Sequence, residues 1–168
     1  ALYDAIGGMR VRGGFLKPLL EAGGQVAPFL PVTLLERRLR VNFRNHRKIL
    51  VTDGHTGFTG GINIADEYLD WMDAAFEFHG PVVYQLQEVF AEDWFFATGE
   101  DLAASAYFPA LAQVHEPDED ADALARVIAS GPDHRRRSVQ HAFFLGITLA
   151  RQRVWLITPY FVPGAEVL

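Results

Sequence analysis

The stretch from residue 45 to residue 63, NHRKILVTDGHTGFTGGIN, constrains the fold more than any other part of the chain. Asp53 and Gly54 stand between two β-prone runs, residues 47–52 and residues 57–59. An Asp-Gly pair in that setting is a strong signal for a β-hairpin. Three apolar residues of the two predicted strands are expected in the core: Leu50, Val51 and Phe58.

Two polar residues are predicted at the beginning of the first strand of this hairpin. Because side chains alternate along a strand, His46 and Lys48 should share one face with Leu50 and Thr52. An imidazole can act as a nucleophile or as a general acid and base near neutral pH. A fixed ammonium beside it can neutralise phosphate charge as that charge develops. The pair therefore predicts a site for a small anion, although two polar residues on a solvent-facing strand would be the simpler interpretation.

Three residues after the hairpin extend this predicted site. Gly60 and Gly61 would let the backbone approach a ligand closely, and they would equally suit a plain β-bulge. Asn63 adds an amide donor. Together with His46 and Lys48, these residues describe a phosphoryl-transfer site that works without a metal.

Helical and strand-like patterns alternate along the rest of the chain. Helices are predicted within residues 8–23, ending at Gly23 and Gly24, and over residues 82–97 and 136–150. Further strands are predicted over residues 25–30, 74–78, 125–129 and 154–158. Residues 33–40 are predicted as a helical turn or loop, and residues 99–121 as a linker or long surface loop. This alternation is typical of an α/β layered fold. Four aromatic residues of the 82–97 helix are predicted mainly for the core: Phe90, Trp94, Phe95 and Phe96.

Composition limits the classes of function. The 168 residues include 21 acidic and 15 basic side chains, and the net charge of -6 argues against a dedicated nucleic-acid binder. The chain has no cysteine, which excludes disulfides and thiolate metal sites. No apolar run approaches the roughly 18 residues that a membrane span needs. The first residues resemble the end of a strand and the last five resemble the first turn of a helix, so we expect the chain to be an internal piece of a longer protein.

The pattern His46-x-Lys48-(x)4-Asp53-(x)6-Gly60-Gly61-x-Asn63 resembles the HKD motif of the phospholipase D superfamily, with every defining position filled. Several fixed spacings over 18 residues make this a specific signal. The flanking segments RNHRKILVTDG, GGINIADEYL, GPVVYQLQEVFAEDW and TPYFVP are similar to the cardiolipin synthase branch. The resemblance extends from YDAIGG near the start to TPYFVP near the end.

The resemblance implies a fold and a role for each motif residue. The fold would be a phospholipase D-like mixed β-sheet flanked by helices, here an incomplete part of a two-lobed unit. His46 would belong to the catalytic pair of histidines as the nucleophile, forming a phosphohistidine, while Lys48 and Asn63, with Gly60 and Gly61, would hold the phosphate. The implied catalytic set also contains two aspartates: Asp53, as a structural member that fixes the turn and neighbouring charges, and Asp73, as an acid that hydrogen-bonds the histidine and sets its tautomer. No cofactor and no metal is implied.

One departure from the family pattern is large, because the chain contains no second H-x-K-(x)4-D. Residues 1–115 would be the remainder of the first half, with the motif, and residues 116–168 the start of the second half. Activity would then need the second motif in the same parent chain, or a second copy across a two-fold interface. The isolated chain is expected to be inactive.

Three functions follow from the residues and the resemblance. The first is a phosphatidyltransferase of the cardiolipin synthase type, which acts on phosphatidylglycerol or a similar phospholipid at a membrane surface, by resemblance the bacterial cytoplasmic membrane. The second is hydrolysis of a phosphodiester by a phospholipase D or a nuclease; the acidic charge disfavours nucleic acid as a partner. The third is a non-catalytic interaction module.

Overall fold

The computed structural model describes residues 1–10, 13–30, 44–103, 107–108, 123–131 and 138–158. Within them the chain forms five strands and three α-helices in a mixed α/β arrangement, as the sequence predicts. The chain divides into two compact units, Ala1–Val127 and Ile128–Leu168. The predicted boundary between residues 115 and 116 lies outside the described residues and remains a prediction. The predictions for residues 33–40, for most of residues 99–121 and for TPYFVP after Thr158 also fall outside the described residues.

The first unit contains two small sheets. Strands β1 (Leu2–Asp4) and β2 (Ala27–Phe29) pair in parallel, joined through helix α1 (Gly13–Glu21). Strands β3 (Ile49–Thr52), β4 (Thr56–Gly60) and β5 (Ala75–His79) form an antiparallel sheet in the order β3-β4-β5. Helix α2 (Val82–Thr98) follows β5 and contacts β2 and all three strands of the antiparallel sheet.

The core lies along one face of α2. Its fully buried members are Val83 and Leu86. Trp94 is 5% exposed and packs with Ala27 and Leu102. Gly57 lets β4 approach this helix, because a Cβ at Gly57 would stand 2.7 Å from Leu86 Cδ1. The three-stranded sheet is thereby held on one face by α2.

A glycine ends each helix of the first unit, and the end of α1 lies where the sequence predicts it, at Gly23 and Gly24. Gly23 has a φ of 84°, and the next amide, of Gly24, donates to Leu19 O at 2.9 Å. Gly99 has a φ of 77° and donates its amide to Phe95 O at 2.8 Å. A left-handed residue closes the last helical turn in this way, and glycine adopts that conformation without steric cost.

The predicted hairpin is present, with a turn that its sequence explains. Ile49 pairs with Thr59 and Thr52 pairs with Thr56. Asp53 and Gly54 both have positive φ, 54° and 71°, as a type I′ turn requires, and the His55 amide donates to Thr52 O at 3.1 Å.

Some core predictions for the hairpin and for α2 were wrong. Leu50 is 56% exposed because it lies on the face of the sheet opposite α2, while Val51 and Phe58 are half-buried. On α2, Trp94 is buried and Phe90 is half-buried, but Phe95 and Phe96 are exposed by 56% and 63% because they lie beyond the buried stripe of the helix.

Two predicted strands are not strands. Residues 125–129 are irregular, and the amide of Val127 donates to Gln85 Oε1 at 2.9 Å instead of to a neighbouring strand. Residues 154–158 are also irregular and are exposed, with Trp155 at 82% and Ile157 at 87%. An apolar β-branched run becomes a strand only when another strand pairs with it, and none in the described residues does so.

The second unit has one described helix, α3 (Ser138–Leu149), where a helix over residues 136–150 was predicted. None of the described residues of α3 is buried. Across the described part of the chain, no helix is both long and apolar enough to cross a bilayer.

Candidate active site

His46 lies in an irregular segment, residues 44–48, immediately before β3. The prediction that His46 and Lys48 are strand residues was therefore wrong. The cause is local: Asn45 Oδ1 accepts the Arg47 amide at 3.0 Å, a turn that competes with extended backbone. The Asn45 amide donates in turn to Asp4 Oδ2 at 3.0 Å, which ties this segment to the end of β1. His46 thus stands at the apex of a braced turn, with its side chain exposed.

Lys48 remains close to His46 despite this change of backbone. Its ammonium donates to the backbone carbonyl of His46 at 2.9 Å. This bond uses one of the three donors of the ammonium. The arrangement braces the turn and holds a positive charge beside the imidazole.

Three parts of the chain converge at the end of the sheet where β3 begins. Lys48 precedes Ile49, which pairs with Thr59, and the following residue Gly60 pairs with Ala75 of β5. The Gly61 amide continues this pairing by donating to Ala74 O at 2.9 Å. One end of the sheet therefore brings together residues 46–48, 60–61 and 73–75. We call it the site end of the sheet.

The two glycines at the site end permit close packing within the protein. A Cβ at Gly60 would overlap Ala74 O and come within 2.5 Å of Ala75 Cα. A Cβ at Gly61 would overlap the Asp73 carboxylate, whose Cγ would lie only 2.7 Å away. The absence of side chains at these positions is what seats Asp73 at the site end.

Asp73 is held by the backbone and acts electrostatically on Lys48. Its Oδ1 accepts the Ala74 amide at 2.7 Å. Burial lowers the pKa of the Lys48 ammonium, and the negative charge of Asp73 acts in the opposite direction. The structure thus brings Asp73 near Lys48. The hydrogen bond from His46 to Asp73 that the resemblance implies remains a prediction.

The site end favours the neutral form of His46. Partial burial, and after it the positive charges of Lys48 and Arg44, lower the pKa of His46 below its ordinary value of 6.5, while Asp4 acts in the opposite direction. A neutral imidazole is the form that can attack phosphorus. Arg44 itself is paired with Asp4, with Nη2 3.3 Å from Oδ1.

Two predicted site residues are not placed beside His46 by any described contact: Asp53 lies away from the site end, and Asn63 lies in a loop. Asp53 occupies the hairpin turn at the opposite end of β3, roughly 16 Å along the strand from Lys48 at about 3.3 Å per residue. Its position suits a residue that shapes the turn. Asn63 is half-buried in the loop that follows β4. Their proposed roles remain predictions.

The structure adds residues that the sequence analysis missed. Asp4 and Asn45 brace the His46 turn, and Asp93 of α2 bonds both Asn45 and Arg47. Asp93 had a recognisable signal, because it is a carboxylate at helical spacing on the apolar face that also carries Leu86 and Val89. Asp4 and Asn45 gave no comparable signal. In the described ranges, no cluster of three metal-ligating side chains is found.

Comparison with known proteins identifies close similarity to one group of bacterial enzymes. Cardiolipin synthase 2 of Bacillus cereus is 38% identical over 174 residues, and a cardiolipin synthase of Geobacillus sp. (strain WCH70) is 39% identical over 175 residues. Cardiolipin synthase 1 of Bacillus anthracis is 35% identical over 177 residues. Each alignment covers 99% of this chain and 33–35% of the relative.

No family model matches the chain. No solved structure matches it either. The chain spans about a third of the length of the curated relatives it matches. The similarity over nearly its whole length confirms the predicted family: the chain is part of a phospholipase D-family protein, and the relatives it matches are cardiolipin synthases.

Proposed function

We propose that this chain carries one half of the active site of a phosphatidyltransferase of the cardiolipin synthase type. The observation that carries the proposal is the convergence of residues 46–48, 60–61 and 73–75 at the site end of the sheet. This convergence gathers an imidazole, an ammonium and a carboxylate at one edge of the sheet. The similarity to bacterial cardiolipin synthases supports the same reaction class.

His46 is the nucleophile in this proposal. One ring nitrogen of its neutral imidazole attacks the phosphorus of a phospholipid phosphodiester, and the bond from phosphorus to the leaving alcohol breaks. The departing alkoxide takes its proton from a second histidine. A second alcohol then loses its proton to that histidine and attacks the phosphohistidine, which releases His46. The lowered pKa of His46 supports the attacking role.

Lys48 and Asn63 bind the non-bridging phosphate oxygens. The Lys48 ammonium is fixed by the His46 carbonyl and faces a growing negative charge in the transition state. Asp73 sets the charge balance beside Lys48 and orients the imidazole. Asp53 contributes only through the turn, and the reaction uses these protein groups without a metal or cofactor.

The second histidine belongs to a second HKD motif, either in the same parent chain or in a two-fold-related copy. Along the sequence, the first half ends and the second half begins near residues 115 and 116. The substrate is a phospholipid such as phosphatidylglycerol, and the parent protein therefore works at the surface of a bacterial cytoplasmic membrane. Nucleic acid is not a partner.

The test is lipid product analysis with the complete protein that contains this chain. Phosphatidylglycerol, phosphatidylethanolamine and water are offered together, as competing donors and acceptors. We expect a product with two phosphatidyl groups on one glycerol, and its loss in His46→Ala. The exposed histidine of α3 gives a matched control, since His141→Ala should retain the wild-type rate.

Each other outcome corresponds to a different function. Phosphatidic acid as the main product would replace transfer by hydrolysis. No lipid turnover and no labelling of His46 in the complete protein would leave only the non-catalytic module. Equal losses in His46→Ala and His141→Ala would contradict the assignment of the nucleophile.

A further inference from the structure

Asp93 is a buried carboxylate that the HKD motif does not contain. It lies on the inward face of α2 and is 9% exposed. Among the buried residues that the structure describes in this helix, Asp93 is the charged one. Each of its oxygens takes a different partner. Asn45 Nδ2 donates to Oδ2 at 2.8 Å, and Arg47 Nη1 donates to Oδ1 at 2.5 Å.

The two partners of Asp93 are the residues immediately before and after His46 in the chain. The Asn45 side chain uses both of its groups, since Nδ2 reaches Asp93 while Oδ1 accepts the Arg47 amide at 3.0 Å. The Arg47 guanidinium is partly buried, with 28% of its side chain exposed against 12% for Asp93. A single carboxylate thus holds both sides of the turn whose apex is His46.

The backbone of this turn is restrained by side chains and not by strand pairing. Residues 44–48 are irregular, so no strand pairing fixes His46. Besides the bonds to Asp93, four described contacts restrain the turn: the Asn45 amide to Asp4, the Arg47 amide to Asn45 Oδ1, the Arg44 guanidinium to Asp4, and the Lys48 ammonium to the His46 carbonyl. Because a nucleophile must be held within a fraction of an ångström to react efficiently, the restraint from α2 has a functional consequence.

We propose that Asp93 is a positioning residue for His46: its carboxylate clamps Asn45 and Arg47 and thereby fixes the backbone turn that aims the imidazole at phosphorus. This inference rests on the proposed function, because it assigns a purpose to the position of His46. The carboxylate contacts neither substrate nor reacting atoms and acts through the turn. Its removal should therefore slow attack on phosphorus while leaving lipid binding unchanged.

The test uses the complete protein and two variants of the clamp. Asp93→Asn keeps the size of the side chain but replaces one acceptor by a donor, which opposes the donors of Asn45 and Arg47. The double variant Arg47→Met with Asp93→Leu removes both charges together and leaves no buried charge unpaired, so it keeps the fold. The exposed neighbour on α2 supplies the control, Glu92→Gln.

Three quantities are measured for each protein: the rate of covalent labelling of His46 by phosphatidylglycerol, binding to phosphatidylglycerol vesicles, and hydrogen exchange of peptides spanning residues 44–49. We expect labelling to fall about 10- to 100-fold in both clamp variants, with vesicle binding unchanged. Exchange of the Asn45 and Arg47 amides should rise about 10-fold or more. Glu92→Gln should match the wild type in all three.

The outcomes separate this inference from the proposed function. Wild-type labelling and exchange in the double variant would overturn the positioning role. A fall in labelling with no change in exchange of the Asn45 and Arg47 amides would also overturn it. Absence of labelling in the unmodified protein, together with faster exchange in the clamp variants, would contradict the proposed function and leave the clamp on the turn established.

Discussion

The two ends of the three-stranded sheet hold different parts of the same motif. At the site end, His46 and Lys48 meet Gly60, Gly61 and the segment around Asp73. At the other end, Asp53 and Gly54 form a tight turn with positive φ at both residues, close to the Thr56–His79 pair of β4 and β5. The contrast indicates that one contiguous motif contributes both the side chains of the candidate site and the hairpin turn at the opposite end of the sheet.

The largest effect should come from removing charge at the site end. Lys48→Met keeps the length of the side chain but removes the ammonium beside the developing phosphate charge. We expect the rate of lipid transfer to fall about 10²- to 10³-fold, as for the loss of one preorganised donor in a transition state. Single-turnover kinetics with the complete protein measure this rate.

The matching control for Lys48 is the lysine of α1. Lys17 lies on the surface and pairs with Glu21 at 3.4 Å, far from the motif in sequence. Lys17→Met should retain the wild-type rate. Equal losses in the two variants would mean that the ammonium of Lys48 has no special role.

The next effect is steric. In Gly61→Ala the new methyl group would overlap the Asp73 carboxylate, so Asp73 or the end of β4 must move. We expect a stability loss of about 1–3 kcal/mol from overpacking and a rate about 10- to 100-fold lower from misplacement of the site. Thermal unfolding and single-turnover rates measure the two effects.

A second glycine gives the control for this steric effect. Gly146 lies within α3, and a Cβ there would meet open space. Gly146→Ala should leave the rate unchanged and stabilise the protein by about 0.5–1 kcal/mol through its helix propensity. If Gly61→Ala behaved in the same way, close packing at the site end would not matter for the reaction.

A smaller effect concerns pH. In the proposed reaction the attacking form of His46 is neutral. The lowered pKa keeps the imidazole neutral to a pH below 6.5, so activity should be lost only as the pH falls through that lower value. Arg44→Gln removes one cation that lowers the pKa. The acid limb of the pH profile should then move to higher pH. In Lys48→Met this limb should move further, because the charge of Lys48 lowers the pKa of His46 more than the charge of Arg44 does.

Single-turnover labelling of His46 as a function of pH measures these limbs. An acid limb that moves to lower pH in either variant would contradict the assigned electrostatics. An unchanged limb in both would mean that the limb reports a group other than His46.

The smallest effect should come from the turn end. Asp53→Asn keeps a residue that tolerates the left-handed conformation, and the transfer rate should stay within about two- to three-fold of the wild type. Asp53→Val places a β-branched residue at a φ of 54° and should cost about 1–2 kcal/mol of stability. A 10²-fold loss of rate in Asp53→Asn, with stability intact, would make Asp53 a catalytic residue and remove the contrast between the ends.

The fold was predictable from sequence wherever a local signal decided the outcome. The hairpin follows from Asp53 and Gly54, and the end of α1 from Gly23 and Gly24. Predictions were wrong where the outcome depends on partners remote in sequence. Residues 154–158 have strand composition but no described partner strand, and Leu50 is exposed because α2 covers the opposite face.

The motif residues of the candidate site could be identified from the sequence, but the residues that hold the His46 turn in place could not. The spacing of the motif identifies His46, Lys48 and the two glycines, and the sheet register explains why those positions meet. The backbone of His46 was predicted as the beginning of a strand because the β-prone run 47–52 follows it. A side-chain bond from Asn45 and a carboxylate 47 positions after His46 decide the actual turn, and neither effect is visible in local periodicity.

The residue that captures phosphate covalently decides whether His46 is the nucleophile. The complete protein is mixed briefly with phosphatidylglycerol, quenched at alkaline pH where phosphohistidine survives, and digested for peptide mass spectrometry. We expect a phosphatidyl adduct on His46 in the wild type and in Asp53→Asn, and none in His46→Ala. An adduct on a different residue, or the same adduct yield in His46→Ala, would contradict this expectation.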